Sequence, residues 1–456
     1  MKKNILNSVF GLAVASLMLA ACSSADEVAT APAATPEAGE TPINFGAYMN
    51  RTTTRGGYEG ELTTDALKDA ANGFGVLAYY TDNQPYNPNA TPNFMYNQQV
   101  TCVDPNAATA VWTYSPLKYW PNEFGADATS EGLDQLSFFA YAPYTAVNLV
   151  TGYAADAENG IIGMTRSAES GNPKVRYLAS FDPSKKVDLC WAEPQKNKTK
   201  DQFNVTQTVG FNFNHALASL NVQIDALFDE TAAPGANALD ANTRIWVRSV
   251  TFEGFAMKGE LNLNIENTVP EWNDLYSNGL LTGEPVTIYD GRRDGREGYA
   301  AMPNEKPIGL NPDLVQDGEY TTNATTITGT GPNEHHGVTA TTVNLFEGAA
   351  DENDPIYVIP TDVPMQVTIV YDVETFDPHL SSTFLSDNKT NGVSIENTIT
   401  KTILVNPANP NSGLVLDAGY KYTVKLHLGM TSVKVDADVI PWDDDAEVDI
   451  DLPANN

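Results

Sequence analysis

The residue whose context most directly specifies a reaction is Cys22. It follows Leu19-Ala20-Ala21, and ahead of it lie Lys2, Lys3 and an apolar stretch from Val9 to Ala21 interrupted only by Gly and Ser. A basic start, a short apolar segment and small residues at the cut together describe a signal peptide, residues 1–21, rather than a membrane span. A cysteine at that point resembles a lipobox, in which the thiol is diacylglycerated and becomes the new N-terminus. Two or three acyl chains hold a protein to a bilayer far better than one, because each buried CH₂ contributes about 0.8 kcal/mol. The expectation is an exported chain anchored through Cys22 without a transmembrane helix.

The other reactive side chains are few. Of three cysteines, Cys102 and Cys190 remain once Cys22 is acylated, and in an oxidising compartment they are expected to pair as a disulfide. Five histidines occur. His215, in an apolar strand-to-turn context, reads as a packed and hydrogen-bonded core histidine; His335 and His336 are adjacent and would point apart on a strand, which makes a poor metal pair. The runs Asp351 to Asp354 and Asp443 to Asp445 offer hard oxygen ligands but not the spacing of an EF-hand, and read as solvated loops. No P-loop, GxSxG, HExxH or strand-to-helix GxGxxG is visible. No catalytic residue, metal or cofactor is expected, and the reading is of a non-enzyme.

Composition narrows the partners. With 26 Lys+Arg against 58 Asp+Glu the formal charge is −32, which disfavours nucleic acid and anionic lipid surfaces.

The elements that would carry these residues are strands. Ile43, Phe45, Ala47 and Met49 alternate, as do Val76, Ala78 and Tyr80, then Tyr422, Val424, Leu426 and Leu428, and finally Val448, Ile450 and Leu452. Helical period is scarce; the best candidate is Thr63 to Ala71, with Thr64 as cap. Residues 22–42, rich in Ala, Pro, Glu, Ser and Thr, read as a flexible tether. The chain is aromatic up to about Pro194 and aliphatic from Phe211 onward, which places a domain boundary near His215: an N-terminal β-sandwich over 43–214 and a C-terminal one over 215–456. The aromatics Trp112, Tyr114, Tyr119, Trp120, Phe138, Phe139, Tyr141 and Tyr144 either pack the first core or stack on sugars, with the core favoured.

A series of short motifs then carries a family resemblance. After the lipobox and the strand Ile43-Asn44-Phe45 come Phe74-Gly75-Val76-Leu77-Ala78-Tyr79-Tyr80, Trp112-Thr113-Tyr114 with Tyr119-Trp120-Pro121, and Leu136-Ser137-Phe138-Phe139-Ala140-Tyr141-Ala142-Pro143-Tyr144. Asp188-Leu189-Cys190-Trp191-Ala192, Phe211-Asn212-Phe213-Asn214-His215-Ala216-Leu217, Gly419-Tyr420-Lys421-Tyr422-Thr423-Val424 and Val439-Ile440-Pro441-Trp442 follow. In this order they resemble the fimbrillin-like proteins, lipoprotein subunits of Bacteroidales type V pili.

The resemblance implies an all-β fold of two transthyretin-like β-sandwiches in series, and assembly by donor-strand exchange. A protease cuts after an arginine beyond the first strand, the strand leaves, and a neighbouring subunit fills the groove by β-augmentation. Here the first strand would be Ile43 to Asn50 and the cut would follow Arg51 or Arg55. Val448, Ile450 and Leu452, alternating with Asp449 and Asp451, would form the donor face, or else the last strand of their own sandwich. The implied partners are other fimbrial subunits, the outer membrane through the lipid anchor, and host or bacterial surface glycans or proteins. A surface glycan-binding lipoprotein is the alternative from a different class.

Overall fold

The strand Phe74–Tyr80 has six buried residues and one half-buried, and its neighbour Leu136–Ala142 is buried throughout. Strands without polar alternation need cover on both faces, and both faces are covered. Phe74, Val76 and Ala78 enter one core with Phe138 and Ala140, while Leu77 and Tyr79 enter a second with Phe139 and Tyr141. Gly75 pairs with Tyr141 across the ladder, and a Cβ there would lie 2.4 Å from the Tyr141 ring, so the close pairing requires glycine.

The computed structural model describes residues 41–49, 63–68, 73–106, 110–121, 134–203, 208–226, 243–266, 269–277, 279–290, 308–310, 338–340, 342–346, 355–376, 392–406, 409–429 and 433–441. These form an all-β protein with a single α-helix among the described residues, Thr64–Lys68, besides two short 3-10 turns. Thr63, one residue before the expected cap, accepts from the Ala66 amide at 3.1 Å, and Leu67 is fully buried.

The two double-faced strands lie at the centre of an eight-stranded sheet. Its order is Asn44–Met49 (β1), Thr208–His215, Cys190–Ala192, Leu136–Ala142, Phe74–Tyr80, Met95–Cys102 and Trp112–Thr113, with Gln195–Lys198 also paired to Leu136–Ala142. One face packs on a four-stranded sheet of Glu271–Asn273, Lys258–Asn262, Lys174–Leu178 and Gly160–Met164, through Tyr141, Tyr177, Trp191, Leu261 and Trp272. That second sheet draws strands from both sides of His215 in sequence: Lys258–Asn262 pairs antiparallel with Lys174–Leu178, and the Trp272 indole donates to the Ala216 carbonyl at 3.1 Å.

The second sandwich encloses an aliphatic core that includes Val222, Ile224, Val247, Ile369, Val424 and Leu426. One sheet orders Phe255–Ala256, Ile356–Pro360, Ala218–Ala226, Tyr420–Leu428 and Val433–Pro441; the other orders Val338–Ala340, Ile308–Leu310, Thr243–Glu253, Gln366–Phe376 and Gly392–Thr402. On this sheet Arg248 and Asp372, each about 1% exposed, form a buried ion pair, with Arg248 Nε donating at 2.7 Å. A register shift between Val247 and Ser249 accommodates Arg248 in the strand.

The expected Cys102–Cys190 disulfide is corrected by the strand order. Cys102 ends the Met95–Cys102 strand and Cys190 begins Cys190–Ala192, with Phe74–Tyr80 and Leu136–Ala142 between them. Three interstrand spacings of about 4.8 Å separate the Cα atoms by roughly 14 Å, well beyond the ~7 Å limit for a bridge. Both are buried free thiols.

Candidate functional site

β1 is an edge strand, and its alternation sets what it does. Ile43, Phe45, Ala47 and Met49 turn inward and are at most 6% exposed, whereas Tyr48 faces solvent at 66%. On one side β1 pairs in parallel with Thr208–His215, in a register running from Asn44 opposite Thr208 to Met49 opposite Phe213. Among the described residues, its other side is held only at the start. The Ile43 amide donates to the Lys118 carbonyl at 2.9 Å, the Trp120 amide donates to the Thr41 carbonyl at 2.9 Å, and Pro42 bridges Tyr119. β1 therefore lies across a groove between the Thr208–His215 strand and the 114–120 segment.

The floor of that groove is aromatic. The Phe45 ring centroid is 5.2 Å from Tyr114, 5.8 Å from Phe138 in an edge arrangement, and 5.7 Å from Phe211 in a stacked one. Phe74 packs edge-on against Trp112, Phe211 and Phe213, and Trp120 packs against Phe138. Burying side chains of this size stabilises by roughly 1.5–3 kcal/mol each, and aromatic pairs add about 0.5–1.5 kcal/mol. Most aromatics of the 112–144 region are thus placed in the core, with Trp120 3% exposed and Phe138, Phe139 and Tyr141 fully buried, while Trp112, Tyr119 and Tyr144 are half-buried.

Tyr114 joins the groove wall to its cover. Its hydroxyl donates to the Ile43 carbonyl at 2.8 Å and accepts from the Lys118 amide at 3.2 Å. Burial pushes its ionisation up to about 12, so it stays a neutral donor at any physiological pH.

Next to the groove is a buried polar cluster that sequence reading did not assemble. Cys190 pairs with His215 across the antiparallel ladder, and Asp188 precedes that strand. His215 Nδ1 lies 2.8 Å from Asp188 Oδ2 and 3.6 Å from Cys190 Sγ. A thiol–imidazole–carboxylate catalytic arrangement uses the two ring nitrogens separately; here both partners meet the same nitrogen. Burial, followed by the Asp188 charge, pushes the Cys190 thiol up to about 12, the opposite of an activated nucleophile. The three donor atoms lie within 4.8 Å of one another. Zinc takes four protein ligands in a structural site and a solvent-facing fourth position in a catalytic one, and the described residues supply neither here. The cluster is a hydrogen-bonded core element, with His215 packed as the sequence reading held.

Cys22, Arg51, Arg55, Val448, Ile450 and Leu452 lie outside the described residues, as do His335, His336, Asp351 to Asp354 and Asp443 to Asp445.

Residues 62–278 match the model of the fimbrillin-like family. Over those residues, just under half of the chain, it is similar to fimbrillin-like proteins. A fimbrium subunit of Phocaeicola vulgatus, Fim1C, is 29% identical over 170 residues, which make up 36% of this chain. The match spans 39% of that relative's own length. Among solved structures, a fimbrial protein from Bacteroides vulgatus aligns over 88% of this chain and 99% of its own, with 20% identity and a TM-score of 0.46. The tip fimbrial protein Mfa3 of Porphyromonas gingivalis, truncated at its C-terminus, aligns over 88% of this chain and 100% of its own, with 8% identity and a TM-score of 0.30. In this chain β1 lies over the aromatic groove.

Proposed function

We propose that this chain is a subunit of a cell-surface fimbrium, exported as a lipoprotein acylated at Cys22 and assembled by exchange of its first strand. The observation that carries this reading is β1 itself. Four inward side chains cover an aromatic floor, yet among the described residues only a parallel ladder on one side and a few bonds at its start hold it in place.

In this reading a protease cuts after Arg51 or Arg55, β1 departs, and an unpaired row of backbone groups above an apolar groove is exposed. Such an edge aggregates unless a strand fills it, and a neighbouring subunit's strand satisfies both the ladder and the floor. The tail face of Val448, Ile450 and Leu452 is this chain's candidate donor, directed into a neighbour. The outer membrane is met through the lipid anchor, and adhesion is to surface glycans or proteins. No reaction is assigned to the chain.

Arg51→Ala combined with Arg55→Ala tests this reading. The double variant should reach the surface and stay monomeric while the wild type enters SDS-resistant polymers. Polymers from the double variant at wild-type yield would overturn it. Deleting Glu447 to Asn456 should leave a folded chain that accepts a strand but gives none; unchanged polymer length would remove the tail as donor.

A further inference from the structure

The groove has a shape more particular than its apolar character, and that shape bears on who fills it. The second inward position, Phe45, is a ring slot walled on three sides by Tyr114, Phe138 and Phe211, with centroids within 5.2–5.8 Å. The next residue, Gly46, is buried, and a Cβ on it would lie 3.1 Å from Thr208 Cγ2, tighter than ordinary contact. The following inward residue is the small Ala47. A strand that replaces β1 with equal fit therefore needs a flat ring in the slot, and a small residue directly after it spares Thr208 from shifting.

The tail of this chain has neither. From Ala446 to Leu452 it reads Ala-Glu-Val-Asp-Ile-Asp-Leu. In any register that turns Val448, Ile450 and Leu452 inward, the slot receives a branched aliphatic side chain. That leaves part of the ring volume empty, and a cavity lined by atoms that have lost their contacts is costly. The outward positions beside those residues are Glu447, Asp449, Asp451 and Pro453, never glycine. Charge acts in the same direction, since two copies at −32 each repel on approach.

We infer that the groove under β1 selects a strand carrying an aromatic ring followed by a small residue. Its filler then comes from a different polypeptide rather than from the tail of a second copy of this chain. The inference rests on the strand-exchange reading above and adds to it a rule of partner choice: the chain accepts heterotypically and donates its own aliphatic tail to a groove of another shape.

The test uses the full chain with a site-specific protease sequence inserted between Arg51 and Arg55. After cutting, with folding checked by circular dichroism, the clipped protein is incubated with four labelled peptides: residues 41–50, the same with Phe45→Leu, the same with Gly46→Asp, and residues 445–454. Equilibrium incorporation is read by gel filtration. The native first-strand peptide should exchange in, and both the Phe45→Leu and the tail peptides should bind at least about tenfold more weakly, with Gly46→Asp also weakened. A tail peptide that binds as well as the native one overturns the partner rule while leaving strand exchange standing. A clipped protein that takes up none of the peptides overturns strand exchange itself, and the partner rule with it.

Discussion

The hydroxyl of Tyr114 donates a 2.8 Å hydrogen bond to the backbone carbonyl of Ile43, so a side chain in the groove wall holds the strand that covers the groove. The same hydroxyl accepts from the Lys118 amide at 3.2 Å, which makes it the joint between cover and wall. Tyr114→Phe keeps the ring beside Phe45 and removes only the joint. It should cost about 1–3 kcal/mol, because a buried carbonyl and a partly buried amide lose a partner. Denaturant unfolding checks the size, and hydrogen exchange should show faster exchange at the start of β1. Unchanged protection of Ile43 would refute the assigned role.

Alkaline pH should loosen the protein in a defined window. Burial raises the ionisation of Tyr96, Tyr114 and Tyr371 each to about 12, and raises that of the more deeply buried Tyr79, Tyr141 and Tyr177 further. A folded pKa above the unfolded value gives stability that is fully present below about pH 10, the ordinary tyrosine value, and lost as pH rises toward 12. Phenolate absorbance should therefore lag during titration of the folded protein and rise abruptly as it unfolds. A smooth single titration of all 20 tyrosines near pH 10, with the fold intact, would contradict this.

Both internal thiols should be free. With Cys22 replaced by Ser, alkylation after denaturation without reductant should add two groups, at Cys102 and Cys190. In the folded state Cys190 should react very slowly, because it is fully buried and its thiol is pushed up to about 12. A mass showing no adduct without reductant and two with it would restore the disulfide.

The Arg248–Asp372 pair should behave asymmetrically. Arg248→Met alone takes the guanidinium from a buried carboxylate and should destabilise by about 3–5 kcal/mol, whereas Arg248→Met with Asp372→Leu should recover most of that. Equal losses in the single and double variants would argue against a pair whose cost is mainly desolvation.

Sequence carried much of this architecture where alternation or a continuous apolar run set the element. The inward set of Ile43, Phe45, Ala47 and Met49 was readable by period two, whereas the same period read on Val76, Ala78 and Tyr80 missed that Leu77 and Tyr79 are buried too and that the strand is covered on both faces. Strand order was not readable. Nothing local in Cys102 or Cys190 tells that Phe74–Tyr80 and Leu136–Ala142 insert between them, and two leftover thiols look alike whether adjacent or three strands apart. The same blindness hid the pairing of β1 with Thr208–His215, and the meeting of Asp188 with His215 across an antiparallel register. Each motif was visible alone, and only the sheet puts them side by side. The helix cap moved by one residue because Thr63 and Thr64 offer the same hydroxyl, and backbone geometry chooses between them.

The central claim is that β1 is a replaceable cover. N-terminal sequencing and mass mapping of SDS-resistant polymers extracted from the cell surface, set beside unassembled protein from the same cells, test it directly. The account predicts polymerised subunits that begin after Arg51 or Arg55 and lack the Ile43 to Asn50 peptide, with that peptide retained in the unassembled form. Polymers whose subunits keep Ile43 to Asn50 covalently attached would contradict it.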